Sequence, residues 1–80
     1  MTATPEEKTI LLLLAKEWDE NGPPGILDIS DIVTALPTSS GRITAALKNL
    51  FTRGLVDMNR LKTSAFLTPE GYDAAKDHQF

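Results

Sequence analysis

The fold is decided by residues 31–71, DIVTALPTSSGRITAALKNLFTRGLVDMNRLKTSAFLTPEG. This stretch opens with two runs of helical periodicity, and Pro37 separates them because proline cannot continue a helix. Ser39 or Ser40 can cap the second run, and Gly54 supplies the left-handed position at which helices commonly end. Two helices joined by a tight turn form a helix-turn-helix.

A β-hairpin and a final helix are expected after the helix-turn-helix, which is predicted over about residues 30–53. Two short apolar stretches flank a loop that carries Arg60 and Lys62, so we expect a hairpin, called the wing, over about residues 55–67. Pro69 follows the hairpin. Because proline is favoured at the first position of a helix, it predicts the last helix over about residues 69–78.

A helix and a short strand precede this stretch. Thr4 can cap the first helix, and Glu7 stands three residues later, as in a capping box. Apolar residues at helical spacing then predict this helix over about residues 5–20. A loop rich in proline and glycine, residues 21–25, separates it from a strand-like stretch at residues 26–28.

One domain over residues 1–80 accounts for all of these elements, because a chain of this length buries one small core. The order helix, strand, helix, helix, strand, strand, helix predicts a mainly α fold with a small β-hairpin, a winged helix-turn-helix. Four aromatic side chains are expected in the core: Trp18, Phe51, Phe66 and Tyr72. Phe51 lies about 80° from the centre of its helix's apolar face, from where it can alternatively contact the wing.

Three pieces of the sequence occur together, at matching spacings, in one group of proteins. They are Ile32-Val33 with Leu36, the segment from Ser39 to Val56, and Leu67-Thr68-Pro69-Glu70-Gly71. Together they resemble the winged-helix core of bacterial and archaeal transcription regulators, especially the MarR, ArsR and PadR groups. The resemblance implies a regulator that binds DNA through the second helix of the pair. Winged helices also serve as protein-interaction modules, so the fold alone does not decide the function.

Charge is distributed unevenly along the chain, whose net charge is −3. Residues 1–37 carry two lysines against seven acidic residues, and residues 69–80 carry one lysine against three. Residues 38–68 carry five cations against Asp57 alone. Charges beyond about 8–10 Å are screened, so a polyanion would respond to the field of this middle segment.

The second helix of the pair, residues 39–53, is predicted to enter the major groove of double-stranded DNA, which admits an α-helix. Arg42 suits a bidentate contact with guanine, and Thr44 suits a hydrogen bond or a thymine methyl group. Small Gly41 and Ala45 permit close approach, and free amides at the capped start of the helix suit a phosphate. The candidate nucleic-acid-binding residues are Ser39, Ser40, Gly41, Arg42, Thr44, Ala45, Lys48, Asn49, Arg53, Arg60 and Lys62.

Each candidate cation has an alternative explanation. Lys48, Arg53, Arg60 and Lys62 are expected at phosphates or in the minor groove, where they hold register and do not choose sequence. Alternatively, Arg42 and Lys48 are ordinary solvated side chains, and Arg53 complements the dipole at the end of its helix. Arg60 and Lys62 can equally protect an exposed hairpin from pairing with other strands.

The alternative function is a winged-helix protein-protein interaction module, or a small phage or plasmid accessory factor without DNA binding. The acidic first helix and a pI near 4.9 favour this alternative. Leu12 and Leu13 flank the apolar face of the first helix and are candidate contacts of a homodimer. Neighbouring elements of a small domain can equally cover them.

Enzymatic, metal-binding and membrane functions find no support in the sequence. The longest apolar run, residues 10–15, is too short to cross a bilayer, the chain has no cysteine, and its one histidine, His78, is near an end. The acidic segment 19–22 is not followed by the glutamate that a calcium loop requires, and capping and solvation explain Glu6 and Glu7. We therefore predict a cytoplasmic non-enzyme with no catalytic residues, cofactor or metal.

Overall fold

The first helix, α1 (Pro5–Asn21), packs against two of the other helices and two of the strands. In this computed structural model, which describes residues 4–77, Thr4 caps α1 by accepting a hydrogen bond from the Glu7 amide at 3.2 Å. The helix ends at Asn21 and is followed by Gly22, whose φ of 88° is easily adopted only by glycine. Its start is the predicted one, and its end is one residue later than expected.

The helix-turn-helix follows directly from a short strand. The strand β1 (Ile26–Asp28) leads without a loop into α2 (Ile29–Ala35), and a turn then leads to α3 (Ser40–Thr52). Since α2 starts at the end of β1, it begins one residue before the predicted position. Ser39 is the serine that caps α3, and its hydroxyl accepts a hydrogen bond from the Arg42 amide at 3.4 Å.

The wing is part of a three-stranded antiparallel sheet. The hairpin strands β2 (Val56–Met58) and β3 (Ser64–Leu67) pair as predicted. The strand β1 pairs with the other edge of β3, with Ile26 opposite Phe66, so the strand order is β1-β3-β2. The last helix, α4 (Pro69–Asp77), follows β3 and packs on α1. The helix-turn-helix and the wing are therefore joined through the sheet.

The core lies between the helices and the sheet, and eight large apolar side chains are almost completely buried in it: Ile10, Leu11, Leu14, Ile32, Ile43, Leu50, Val56 and Leu67. Leu13 is partly buried against this core, whereas Leu12 is 46% exposed. The prediction that Phe51 lies in the core is wrong, because its side chain is 48% exposed. Its angular distance from the apolar face of α3 leaves it uncovered.

A cluster of side chains holds α4 against α1. The rings of Trp18 and Tyr72 stack with their centroids 4.5 Å apart. The Tyr72 hydroxyl donates a hydrogen bond to Asp19 Oδ1 at 2.7 Å, and the Lys76 ammonium forms an ion pair with Oδ2 of the same carboxylate. The bond from Lys76, with that from Tyr72, holds the pKa of Asp19 below its usual value. Asp19, considered above as part of a calcium loop, thus has a structural role.

Four helices and a small antiparallel sheet make this domain a mainly α winged helix-turn-helix, as predicted. Within residues 4–77 no group of three or more histidine, cysteine or acidic side chains is arranged to hold a metal ion. No helix in the same range is long and apolar enough to cross a membrane. His78 lies outside the described residues.

Candidate nucleic-acid interface

A groove of about 690 Å³ lies between the outer face of α3 and the wing. The helix contributes Thr44 and Lys48 to it, and the loop of the wing contributes Arg60 and Lys62. The groove is also lined by apolar surface, including the exposed ring of Phe51. Its remaining lining residues are Ile29, Leu47, Thr52, Asp57, Met58 and Asn59.

Three of the five predicted cations converge on this groove. Lys48, Arg60 and Lys62 are exposed, and within residues 4–77 none of them takes part in an ion pair. Asp57 is the one acidic side chain among the groove residues, so the lining has a net positive charge. A concave surface with an excess of one sign of charge attracts ligands of the opposite sign.

Arg42 lies at the edge of α3 that faces α1. Its guanidinium is 3.2 Å from the Glu6 carboxylate; the Arg42 side chain is 66% exposed, against 13% for Glu6. The Arg42 end of this pair is open to solvent, whereas the Glu6 end is largely covered. The guanidinium of Arg42 is therefore accessible to another anion from the solvent side.

Arg53 lies at the same edge but in a different environment. Arg53 Nη1 is 3.1 Å from Glu7 Oε1, and the side-chain amide of Asn49 donates to Glu7 Oε2 at 3.4 Å. The Glu7 side chain is only 5% exposed, against 31% for Arg53. The expectation that solvation and capping explain Glu7 is therefore wrong for its carboxylate. This group is buried, and Arg53 and Asn49 are its partners.

The buried position of Glu7 could have been found from the sequence. At about 100° per residue, Glu7 lies about 60° from Ile10 on the helical wheel, in the middle of the apolar face of α1. A carboxylate in such a position requires a cation or hydrogen-bond donors. The helical-wheel position thus indicates a buried carboxylate, whereas the capping-box spacing explains the same glutamate as a cap at the start of the helix.

The remaining candidates on α3 form a surface of small side chains. Gly41 and Ala45 are exposed, and nothing lies within 4 Å of the space that a Cβ at Gly41 would occupy. The Thr44 hydroxyl donates to the Ser40 carbonyl oxygen at 2.9 Å, which leaves its oxygen free to accept. This part of α3 can approach another surface closely.

No protein-family model matches the sequence, and no curated protein matches it. Solved structures match its fold. The adhesin competence repressor AdcR from Streptococcus pyogenes has a TM-score of 0.72 and 23% identity, over 98% of this chain and 56% of that one. A double mutant of ZitR from Lactococcus lactis has a TM-score of 0.73 and 25% identity, over 99% and 52%. The same mutant in its apo form has a TM-score of 0.71 and 26% identity, over 95% and 55%. The chain thus spans about half the length of these proteins.

Proposed function

We propose that this chain is a DNA-binding domain of a transcriptional regulator, which places α3 in the major groove and the wing beside it. The observation that carries the proposal is the convergence of Lys48, Arg60 and Lys62 on one groove of an acidic protein. The same groove exposes the outer face of α3, which is the part of a helix-turn-helix that contacts bases. The fold is also that of AdcR, a repressor.

The candidate residues divide into two roles. Arg42 and Thr44 lie in the N-terminal half of α3, from which base edges are reached in the major groove, and Lys48 lies beyond them, where it contacts a phosphate. Arg60 and Lys62 lie in the wing and contact phosphates, which positions the domain without choosing the sequence. These roles follow from the placement of each side chain on its element.

Arg53 and Asn49 are left out of the proposed interface. Both bind the buried carboxylate of Glu7, and a phosphate contact by Arg53 would leave that carboxylate without its cation. A buried charge without a partner is strongly unfavourable. The proposed phosphate contacts are therefore those of Lys48, Arg60 and Lys62, and Arg42 can add one more.

The first prediction concerns salt. With three phosphate contacts, the logarithm of the affinity for duplex DNA should fall against the logarithm of the salt concentration with a slope of about −3. Fluorescence anisotropy of a labelled duplex, titrated at several concentrations between about 50 and 200 mM salt, measures this slope. An affinity that stays constant over this range contradicts the proposal.

The second prediction separates positioning from sequence choice. Lys62→Ala should weaken binding to all duplexes equally and make the salt slope smaller by about 1. Arg42→Ala should reduce the preference for a selected site over random duplex more than Lys62→Ala does. Lys16→Ala, which removes a lysine from the exposed side of α1, is the control and should change neither quantity. Equal effects of Arg42→Ala and Lys62→Ala on preference would remove Arg42 from the base-contacting set.

A protein-interaction module is the second candidate function. The apolar surface of Phe51 in the groove and the acidic charge of the whole chain favour it. Tight binding to a protein, with no binding to random duplex at low salt, would decide for this function. Self-association through Leu12 is tested separately, by comparing the solution mass of the wild type with that of Leu12→Glu.

A further inference from the structure

The tip of the wing carries an isolated apolar side chain. Leu61 is 79% exposed, and among the exposed large apolar residues of the described chain it is the most exposed; the others reach at most 52%. Its neighbours in the loop are Arg60 and Lys62, both exposed. The wing thus presents one leucine between two cations at its outermost point.

The loop that presents Leu61 has a defined shape. The side-chain oxygen of Asn59 accepts hydrogen bonds from the amides of Thr63 and Ser64, at 2.7 and 2.9 Å. The side-chain nitrogen of Asn59 donates to the Thr63 hydroxyl at 2.7 Å, and the backbone carbonyl oxygen of Asn59 accepts from the backbone amide of Lys62 at 2.9 Å. Lys62 adopts a left-handed φ of 57° to close this turn. Asn59 therefore organises the whole loop.

The loop is also bonded to the helix-turn-helix. The carbonyl oxygen of Thr63 accepts a hydrogen bond from the Ile29 amide, the first residue of α2, at 2.9 Å. The Ser64 hydroxyl donates to the Asp28 carboxylate at 3.0 Å. Folding has thus already placed the tip relative to α3, and little conformational entropy remains to be lost when it binds.

We propose that Leu61 is an apolar wedge, which enters the minor groove beside the site of α3 and packs against a base step while Arg60 and Lys62 bind the flanking phosphates. This inference rests on the proposed function. Proteins that bind the minor groove often insert an apolar side chain between base steps and partly unstack them. Two cations beside the leucine complement the phosphates on either side of that groove.

The wedge has a consequence for sequence preference. Unstacking is easiest at flexible pyrimidine–purine steps such as TA, and a rigid A-tract resists it. The domain should therefore favour duplexes with a TA step where the wing lies, although Leu61 has no hydrogen bond to offer to a base. The preference arises from the deformability of the DNA and not from base contacts.

The test compares Leu61→Ala with a matched control. Leu61→Ala should weaken binding to a TA-containing duplex by about tenfold, a change that corresponds to part of the transfer free energy of one leucine. The salt slope should stay unchanged, because no phosphate contact is lost. Ile26→Ala removes an exposed apolar side chain at the end of β1 away from the wing tip, and it should bind as the wild type does.

A fluorescent base in the duplex reports directly whether the TA step is unstacked. A duplex with 2-aminopurine in the TA step should gain fluorescence when the wild type binds, and Leu61→Ala should abolish the gain. Urea denaturation of both variants checks that each is folded, which the exposure of Leu61 leads us to expect.

Each outcome has a defined meaning. DNA binding by Leu61→Ala that equals the wild type in affinity, TA preference and fluorescence overturns the wedge and leaves the proposed function intact. A lower solution mass of Leu61→Ala without DNA overturns it as well, because Leu61 would then be a contact between copies of the chain. Absence of wild-type binding to any duplex at low salt overturns the proposed function and the wedge together.

Discussion

Gly71→Ala is expected to lower the free energy of unfolding by about 3 kcal/mol or more, at or above the upper end of the usual cost of overpacking. A Cβ at this position would lie 1.8 Å from the Leu55 carbonyl oxygen and 2.9 Å from Leu67 Cδ1. The Leu55 oxygen cannot easily move, because it accepts a hydrogen bond from the Thr68 amide at 3.3 Å. The start of α4 would have to separate from the segment between α3 and β2.

Urea denaturation of the variant and the wild type measures this loss, and Gly41→Ala is the control. Gly41 also lies in a helix, but a Cβ there would meet nothing within 4 Å. The control should be neutral or more stable by up to about 1 kcal/mol, because alanine favours the helix more than glycine does. A cost for Gly71→Ala below about 1 kcal/mol would contradict the close approach of α4 to Leu55.

Arg53→Ala is expected to lower the free energy of unfolding by about 3 kcal/mol, because removing one partner of a buried pair leaves the other charge uncompensated. Glu7 is the partner left behind, and its side chain is 5% exposed. Asn49 would remain as its hydrogen-bond donor but carries no charge. The effect should be large although Arg53 itself is partly exposed, since the cost arises at Glu7.

The double variant Arg53→Ala with Glu7→Gln identifies the cause. A neutral amide at position 7 needs no cation, so the double variant should recover most of the lost stability. It should also bind duplex DNA with the wild-type salt slope if Arg53 makes no phosphate contact. Equal instability of the single and double variants would contradict a buried charge as the cause. A slope smaller by about 1 would return Arg53 to the interface.

The sequence predicted most element boundaries because the signals for them are local. Thr4 and Ser39 form their caps within three residues, and Gly54 takes the left-handed φ expected after α3. The strand at residues 26–28 was predicted, but its place in the sheet beside β3 was not. Its pairing of Ile26 with Phe66 joins residues 40 positions apart, and a strand of three residues has too short a pattern to name its partner.

The candidate site was predictable as a set of cations but not as an arrangement. The sequence places Lys48 on the outer face of α3 and Arg60 in the wing, yet only the sheet brings them to one groove. The partners of Arg53 required a contact between residues 46 positions apart. Phe51 was expected in the core because aromatic side chains are usually buried, but it is 48% exposed among the described residues 4–77.

The hydrogen bond from Ile29 to Thr63, together with the pairing of β1 with β3, has a further consequence for the choice of nucleic acid. These contacts give α3 and the wing tip one constant separation, whereas an independent hairpin could adjust to grooves of many widths. In A-form double-stranded RNA the major groove is deep and narrow and the minor groove wide and shallow. On the proposed DNA-binding function, we expect this arrangement to discriminate against RNA duplexes through shape, without a contact to any 2′-hydroxyl group.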